Sequence, residues 1–220
     1  MSEEKNSAGT APQTLPENTI LFGKYRVLAP INLQGGTAFL YRAVNIRTDQ
    51  IVALKEFFPK GYCQREENMR ISPPKESEKR KTYENARKMF EREAALLKEN
   101  QDDGVILKYY DMFHANGTIY YAMEYLEGES LKEYLKKKEK MELPEALTLL
   151  EPIFDALVIL HQKQVLHRDI SPDNIFLCKN GSVRLIDFGN ARVQEKGKSR
   201  ILDWAKMGYA PVEMQSDDFP

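Results

Sequence analysis

His167-Arg168-Asp169-Ile170-Ser171-Pro172-Asp173-Asn174, followed further on by Asp187-Phe188-Gly189, is the stretch that decides how this chain of 220 residues is read. Either aspartate alone is an ordinary turn or cap residue. Their order, and Asn174 five residues after Asp169, are what set them apart. A third segment, Val52-Ala53-Leu54-Lys55, puts a lysine in an apolar strand. An ammonium stands there either by snorkelling from a sheet edge or by meeting something anionic.

The pattern around these segments changes from strands to helices. Alternating apolar residues predict strands at 25–31, 37–44 and 51–58, with Gln34-Gly35-Gly36 as a turn and Pro59 as a stop. The charged stretch 60–81 reads as a surface insertion. Ala86, Phe90, Ala94 and Leu97 predict a helix over 83–100. Strands follow at 105–113 and 118–124 around Ala115-Asn116-Gly117. After Gly128 the pattern is helical, with a short helix over 131–138 and a longer one over 143–164. Leu143, Leu147, Leu150, Phe154, Leu157 and Val158 mark the apolar stripe of the longer one, with Pro144 in its first turn and Pro152 as a local kink. Short strands return at 175–177 and 183–186, joined at Asn180-Gly181. Strands with one helix, then helices with short strands, indicate the α+β class and two segregated lobes.

Composition excludes several classes. Lys plus Arg is 32 and Asp plus Glu 33, a net charge of −1, which argues against a nucleic-acid partner held by charge. Cys63 and Cys178 stand far apart and in no metal spacing, as free thiols of a reducing compartment do. No run of about 18 apolar residues supplies a membrane segment, and the polar start lacks a signal sequence. A cytoplasmic location is therefore the expectation. Residues 1–19 read as a flexible leader.

The three segments in order resemble the signature of eukaryotic-like (Hanks-type) Ser/Thr protein kinases, bacterial type. The resemblance runs from about Tyr25 to Glu213 and implies a two-lobed kinase fold. An N-lobe of antiparallel sheet plus one helix would cover 20–126, and a partial, mainly helical C-lobe 127–220. It implies ATP as substrate, Mg²⁺ as cofactor and a protein hydroxyl as acceptor. Phosphoryl transfer needs in-line positioning and charge neutralisation more than covalent help. The resemblance gives Lys55 to the α- and β-phosphates, with Glu93 as the acid that aims it and Glu91 as the rival on another helix face. Asp187 and Asn174 are the metal ligands, hard oxygen donors suited to Mg²⁺. Asp169 accepts or orients the proton of the substrate hydroxyl. Ala53 would roof the adenine and Phe176 floor it, beside Met123, and backbone groups of Glu124 and Leu126 would meet its edge.

Three departures from the family pattern stand out. Of the three glycines of the phosphate loop only Gly35 is kept, with Gly36 beside it; Leu33 and Ala38 replace the others. Ser171 and Lys206 exchange the residue types usual at their positions, so Lys206 becomes a second candidate for the γ-phosphate. Ser199, among Lys196, Lys198 and Arg200, is a candidate phosphosite read by Arg168. Pro211-Val212-Glu213 keeps only the glutamate of Ala-Pro-Glu, and the later helices of the large lobe do not follow, which reads as a fragment. An active protein kinase is the first reading. An ATP-binding pseudokinase scaffold is the alternative, on the strength of the eroded glycine loop and the missing C-terminal helices, and a kinase-fold enzyme acting on a small molecule is a third reading. No motif bears on oligomeric state.

Overall fold

Residues 25–57 fold as their alternation dictates. In the computed structural model, which describes residues 13–32, 36–101, 106–138 and 140–193, they form three antiparallel strands. These are β2 (Tyr25–Asn32), β3 (Ala38–Asn45) and β4 (Gln50–Phe57), preceded by the short β1 (Ile20–Leu21). Two small strands follow, β5 (Gln64–Arg65) and β6 (Ile71–Ser72), paired with each other, then α1 (Ser77–Asn100). The helix begins six residues before the predicted start at Tyr83, at the end of the charged insertion. β7 (Tyr109–Ala115) and β8 (Thr118–Glu124) complete a six-stranded sheet of order β1-β2-β3-β4-β8-β7.

The chain divides into two compact units. The first holds the described part of Met1–Lys88 with Asp111–Ala122. The second holds Met89–Tyr110 with the described part of Met123–Pro220.

In the first unit, Tyr25 and Val27, Phe39, Tyr41 and Ala43, and Val52 and Leu54 are buried at alternate positions of their strands, and Phe57 is buried at the end of β4. The sheet is curled enough for its two ends to touch. Phe22, just after β1, stacks on Phe113 of β7 at 5.1 Å, and Tyr25 stacks on the same ring at 5.5 Å. Lys24 Nζ lies 2.7 Å from Asp111 Oδ2. The insertion is not a surface appendage. Cys63, Arg65 and Ile71 are buried, and Ile71 N–H donates to Asn116 O across the β7–β8 turn. Part of the expected leader is also attached. Leu15 is buried, its N–H donates to the Tyr41 hydroxyl, and Asn18 N–H donates to Val27 O.

In the second unit, β9 (Gly128–Ser130), α2 (Leu131–Lys138) and α3 (Leu143–Gln162) are followed by β10 (Val165–Leu166), β11 (Ile175–Cys178), β12 (Val183–Leu185) and β13 (Arg192–Val193). α2 covers the helix expected at 131–138, and the residues just before it, Gly128–Ser130, form a strand that the sequence pattern does not indicate. They complete the sheet β12-β11-β9, and β10 pairs with β13. A Cβ on Gly128 would come 1.9 Å from Leu177 O, so the chain enters this sheet only through glycine. α3 runs unbroken through Pro152 and buries Ile153, Ala156 and Leu160. The stripe read from the sequence faces outward among the described residues: Leu143, Leu147, Phe154 and Val158 are each more than half exposed.

Candidate active site

The loop from His167 to Asn174 joins β10 to β11, and its conformation follows from its own polar groups. His167 is buried, and its ring meets Phe188 edge-on at 4.7 Å. Its Nε2 lies 3.2 Å from Ile186 O, an atom that only accepts, so Nε2 carries the hydrogen. Its Nδ1 then accepts from the Asp169 N–H at 3.4 Å. A second ring proton would break that contact, and burial, the largest influence, holds the His167 pKa below its ordinary value. The imidazole is thus a neutral strut between the two signature segments.

Asn174 ties the loop from the other end. Its Nδ2 donates to Asp169 O at 2.8 Å, its N–H donates to Ser171 O, and its O accepts from Ile186 N–H. With Nδ2 engaged, Oδ1 is the amide atom left for a cation. Asp187 follows Ile186, and its Oδ1 accepts from Gly189 N–H at 3.2 Å. Arg168 and Asp187 both take positive φ, 65° and 63°. Asp169 itself is half-buried. Asn190 Nδ2 donates to its Oδ2 at 3.3 Å, while Oδ1 is buried with no hydrogen-bond partner among the described residues.

Glu93 is 5% exposed, whereas Glu91 is half-buried, so burial separates the two rivals. A buried carboxylate needs a charge or donors to meet it. The Glu93 side chain reaches the second signature segment: a Cβ on Gly189 would lie 3.2 Å from Asp187 Oδ1 and 3.9 Å from Glu93 Oε2. Met123 is buried, Glu124 is half-buried at the end of β8, and Leu126 is half-buried between β8 and β9. Glu124 N–H already donates to Lys108 O, which commits one of its two backbone groups. Phe176 is half-buried on β11, opposite Ser130 and Arg184.

In the first unit, Lys55 on β4 sits with its ammonium 5.8 Å from the Tyr121 ring centroid. Ala53, two positions earlier and so on the same face, is 4% exposed. Glu56 points to the opposite face. Gly36 is exposed, its O accepts from Lys60 N–H, and a Cβ there would meet nothing within 4 Å. The second unit therefore gathers Asp169, Asn174, Asp187 and Glu93, and the first carries Gly36, Ala53 and Lys55. Gly35, Lys206, Ser199 and Pro211-Val212-Glu213 lie outside the described residues. Asn190 was not legible as a site residue, because after Asp-Phe-Gly an asparagine reads as turn chemistry.

The donors fit Mg²⁺. Asp187 and Asn174 Oδ1 are hard oxygen ligands on segments joined by the Ile186–Asn174 hydrogen bond. No group of three or more His, Cys, Asp or Glu suited to a metal occurs among the described residues. A site with few protein oxygens, completed by phosphates and water, is the kind that magnesium favours.

Comparison with known proteins bears on the family of the chain as a whole. The family profile described as protein kinase domain matches residues 34–214. The serine/threonine-protein kinase PrkC of Bacillus subtilis (strain 168) is 33% identical over 169 residues, 77% of this chain and 23% of that protein. The serine/threonine-protein kinase pkn2 of Myxococcus xanthus is 29% identical over 183 residues, 82% of this chain and 19% of that protein. The chain thus spans about a quarter or less of the length of these relatives. Among solved structures, one titled PpkA-294 apo form superposes with a TM-score of 0.74 at 29% identity, over 81% of this chain and 62% of that one. No helix of the described residues is long and apolar enough to cross a membrane.

Proposed function

Because this chain belongs to the protein kinase family, whose substrate and cofactor are ATP and Mg²⁺, we propose that it transfers the γ-phosphoryl group of ATP to a serine or threonine hydroxyl of a protein. The observation that carries the reading is Asp169. Its main chain is held by His167 and Asn174 and its Oδ2 by Asn190, while Oδ1 is buried with no partner among the described residues. A carboxylate oxygen kept dry and unpartnered is costly unless a donor arrives. A substrate hydroxyl is such a donor.

In this reading the hydroxyl donates to Asp169 Oδ1, which aims its lone pair at the γ-phosphorus. The new bond forms from the hydroxyl oxygen to phosphorus as the β–γ bridging oxygen leaves with ADP. The hydroxyl proton passes to Asp169. Asp187 and Asn174 would hold Mg²⁺, which supplies neutralisation of phosphate charge. Lys55 meets the α- and β-phosphates, and Glu93 is the acid assigned to aim it. Ala53 and Phe176 flank the adenine, and the main chain of Glu124 and Leu126 meets its edge. Gly35 and Gly36 belong to the phosphate loop, and Lys206 adds a charge toward the γ-phosphate. Motif positions support these last assignments.

Intact-mass spectrometry of the full-length chain incubated with Mg²⁺ and ATP, with a mixed protein substrate present, tests the proposal. A phosphoryl mass gain on the chain or the substrate is expected for the wild type and not for Asp169→Ala. Nucleotide binding without any transfer in the wild type would replace the kinase reading with that of a nucleotide-binding scaffold.

A further inference from the structure

Asp169 has one neighbour that the motif reading does not use. Asn190 lies one residue beyond Asp187-Phe188-Gly189, and its Nδ2 is 3.3 Å from Asp169 Oδ2. We propose that Asn190 is a positioning residue that fixes the rotation of the Asp169 carboxylate, so that Oδ1 alone faces the substrate hydroxyl. This inference rests on the kinase reading above.

The frame that holds the pair is short and hydrogen-bonded. Asn190 occupies the third position of a turn closed by Ala191 N–H donating to Phe188 O at 3.0 Å. Directly after that turn, β13 pairs with β10, with Leu166 opposite Arg192 and Val165 opposite Val193. β10 in turn leads straight into His167 and Asp169. One two-strand ladder therefore anchors both partners, and the edge-on contact of His167 with Phe188 braces it between them. Arg192 adds hydrogen bonds from its guanidinium to Ala191 O at 2.7 Å and Gly189 O at 3.4 Å. The Asn190 amide is delivered to the carboxylate by backbone geometry rather than by a long swinging side chain.

The consequence is geometric. Rotation about the Cβ–Cγ bond of a free aspartate exchanges its two oxygens. A donor on Oδ2 breaks that equivalence and leaves Oδ1, the buried oxygen without a partner among the described residues, as the oxygen a hydroxyl meets. A misaimed base is felt in the chemical step rather than in nucleotide binding.

The test compares Asn190→Ala, Asn190→Asp and Asn190→Ser in the full-length chain, with kcat, KM for ATP, nucleotide Kd and thermal midpoint all measured. Asn190→Ala should lower kcat about 10- to 100-fold, the size of one hydrogen bond to a charged group, with KM and Kd within about two-fold. Asn190→Asp has the same shape but no donor, and sets a second carboxylate against the first, so it should fall further than Ala. Asn190→Ser restores a hydroxyl donor and should recover part of the loss. Wild-type kcat in Asn190→Ala, or full activity in the Asp isostere, overturns the inference while leaving the kinase reading intact. So does a loss that follows thermal midpoint and nucleotide Kd together with no recovery in Ser. A wild type that binds nucleotide but transfers nothing, beside an equally silent Asp169→Ala, overturns the kinase reading and this inference with it.

Discussion

Arg65 and Glu56 form an ion pair of 2.6 Å with 1% and 0% of their side chains exposed. Glu56 is the neighbour of Lys55 on β4, and Arg65 comes from the insertion. The pair is fully furnished: Tyr41 and Tyr120 donate their hydroxyls to the two Glu56 oxygens, and Arg65 Nε and Nη1 donate to Gln13 O and Met69 O. Burial opposes the Arg65 charge, and Glu56 more than offsets it, so the guanidinium pKa lies above its ordinary value. Burial and the Glu56 charge push both phenols upward.

Removing one partner should therefore be severe. Arg65→Met leaves the Glu56 carboxylate buried without its counter-ion, and a loss of about 3–5 kcal/mol is expected. Urea unfolding followed by circular dichroism reads it directly. A loss under about 1 kcal/mol would mean that the pair is dispensable.

Gly117 should not tolerate a side chain. Its φ is 70°, and a Cβ would lie 2.6 Å from Ile71 O, a main-chain atom that cannot swing away. The insertion packs here against the β7–β8 turn. Gly117→Ala should cost about 1–3 kcal/mol, whereas Gly61→Ala, with nothing within 4 Å of its Cβ, keeps only the strain of its positive φ. Equal losses in the two variants would contradict the packing.

His167 gives stability an acid limb. Its folded pKa lies below the ordinary 6.5, so below that value the unfolded chain binds a proton that the native state refuses. Its contribution is present above pH 6.5 and is lost as pH falls below it. Urea midpoints at pH 7.5 and pH 5 should differ more in the wild type than in His167→Asn. An unchanged difference would relocate the effect to other groups.

The two thiols should react unequally. Cys63 is buried, and burial, with Glu56 adding to it, pushes its pKa from 9.0 to about 12. Cys178 is half-exposed. Because the thiolate is the nucleophile, iodoacetamide at pH 8 should label Cys178 and spare Cys63 until urea unfolds the chain. The favourable burial of the neutral Cys63 thiol holds below pH 9 and fades as pH climbs toward 12. Peptide mapping that found Cys63 labelled first would refute this.

The sequence made the signature segments legible before the packing. His167 to Asn174 and Asp187 to Gly189 stand out because those polar types, in that order and spacing, match a family signature. The strands 25–57 were legible because alternation and turn residues agree. The insertion was not. Arg65, Cys63 and Ile71 sit in a polar stretch with no periodicity, and nothing local says that an arginine will be drawn inside by a glutamate nine residues earlier. Glu56 was hidden by its neighbour: a reading aimed at Lys55 passes over the residue on the other face. Gly128 to Ser130 read as the approach to a helix, because their pairing with β11 is non-local. The outward apolar stripe of α3 shows that periodicity gives a face but not its direction. Ile153, Ala156 and Leu160 form the inward side instead.

Arg168 and Asp187 hold left-handed backbone at φ 65° and 63°, a conformation that costs an L-residue about 1–2 kcal/mol. Glycine would sit there without that penalty. A chain selected for folding alone would be expected to have acquired it, and would have lost a guanidinium beside Asp169 and a carboxylate in the second signature segment. In the proposed kinase reading, the two torsions mark a place where thermodynamic optimum and reactivity part company, and where laboratory selection for heat resistance would be expected to drift first, toward a sturdier and silent protein.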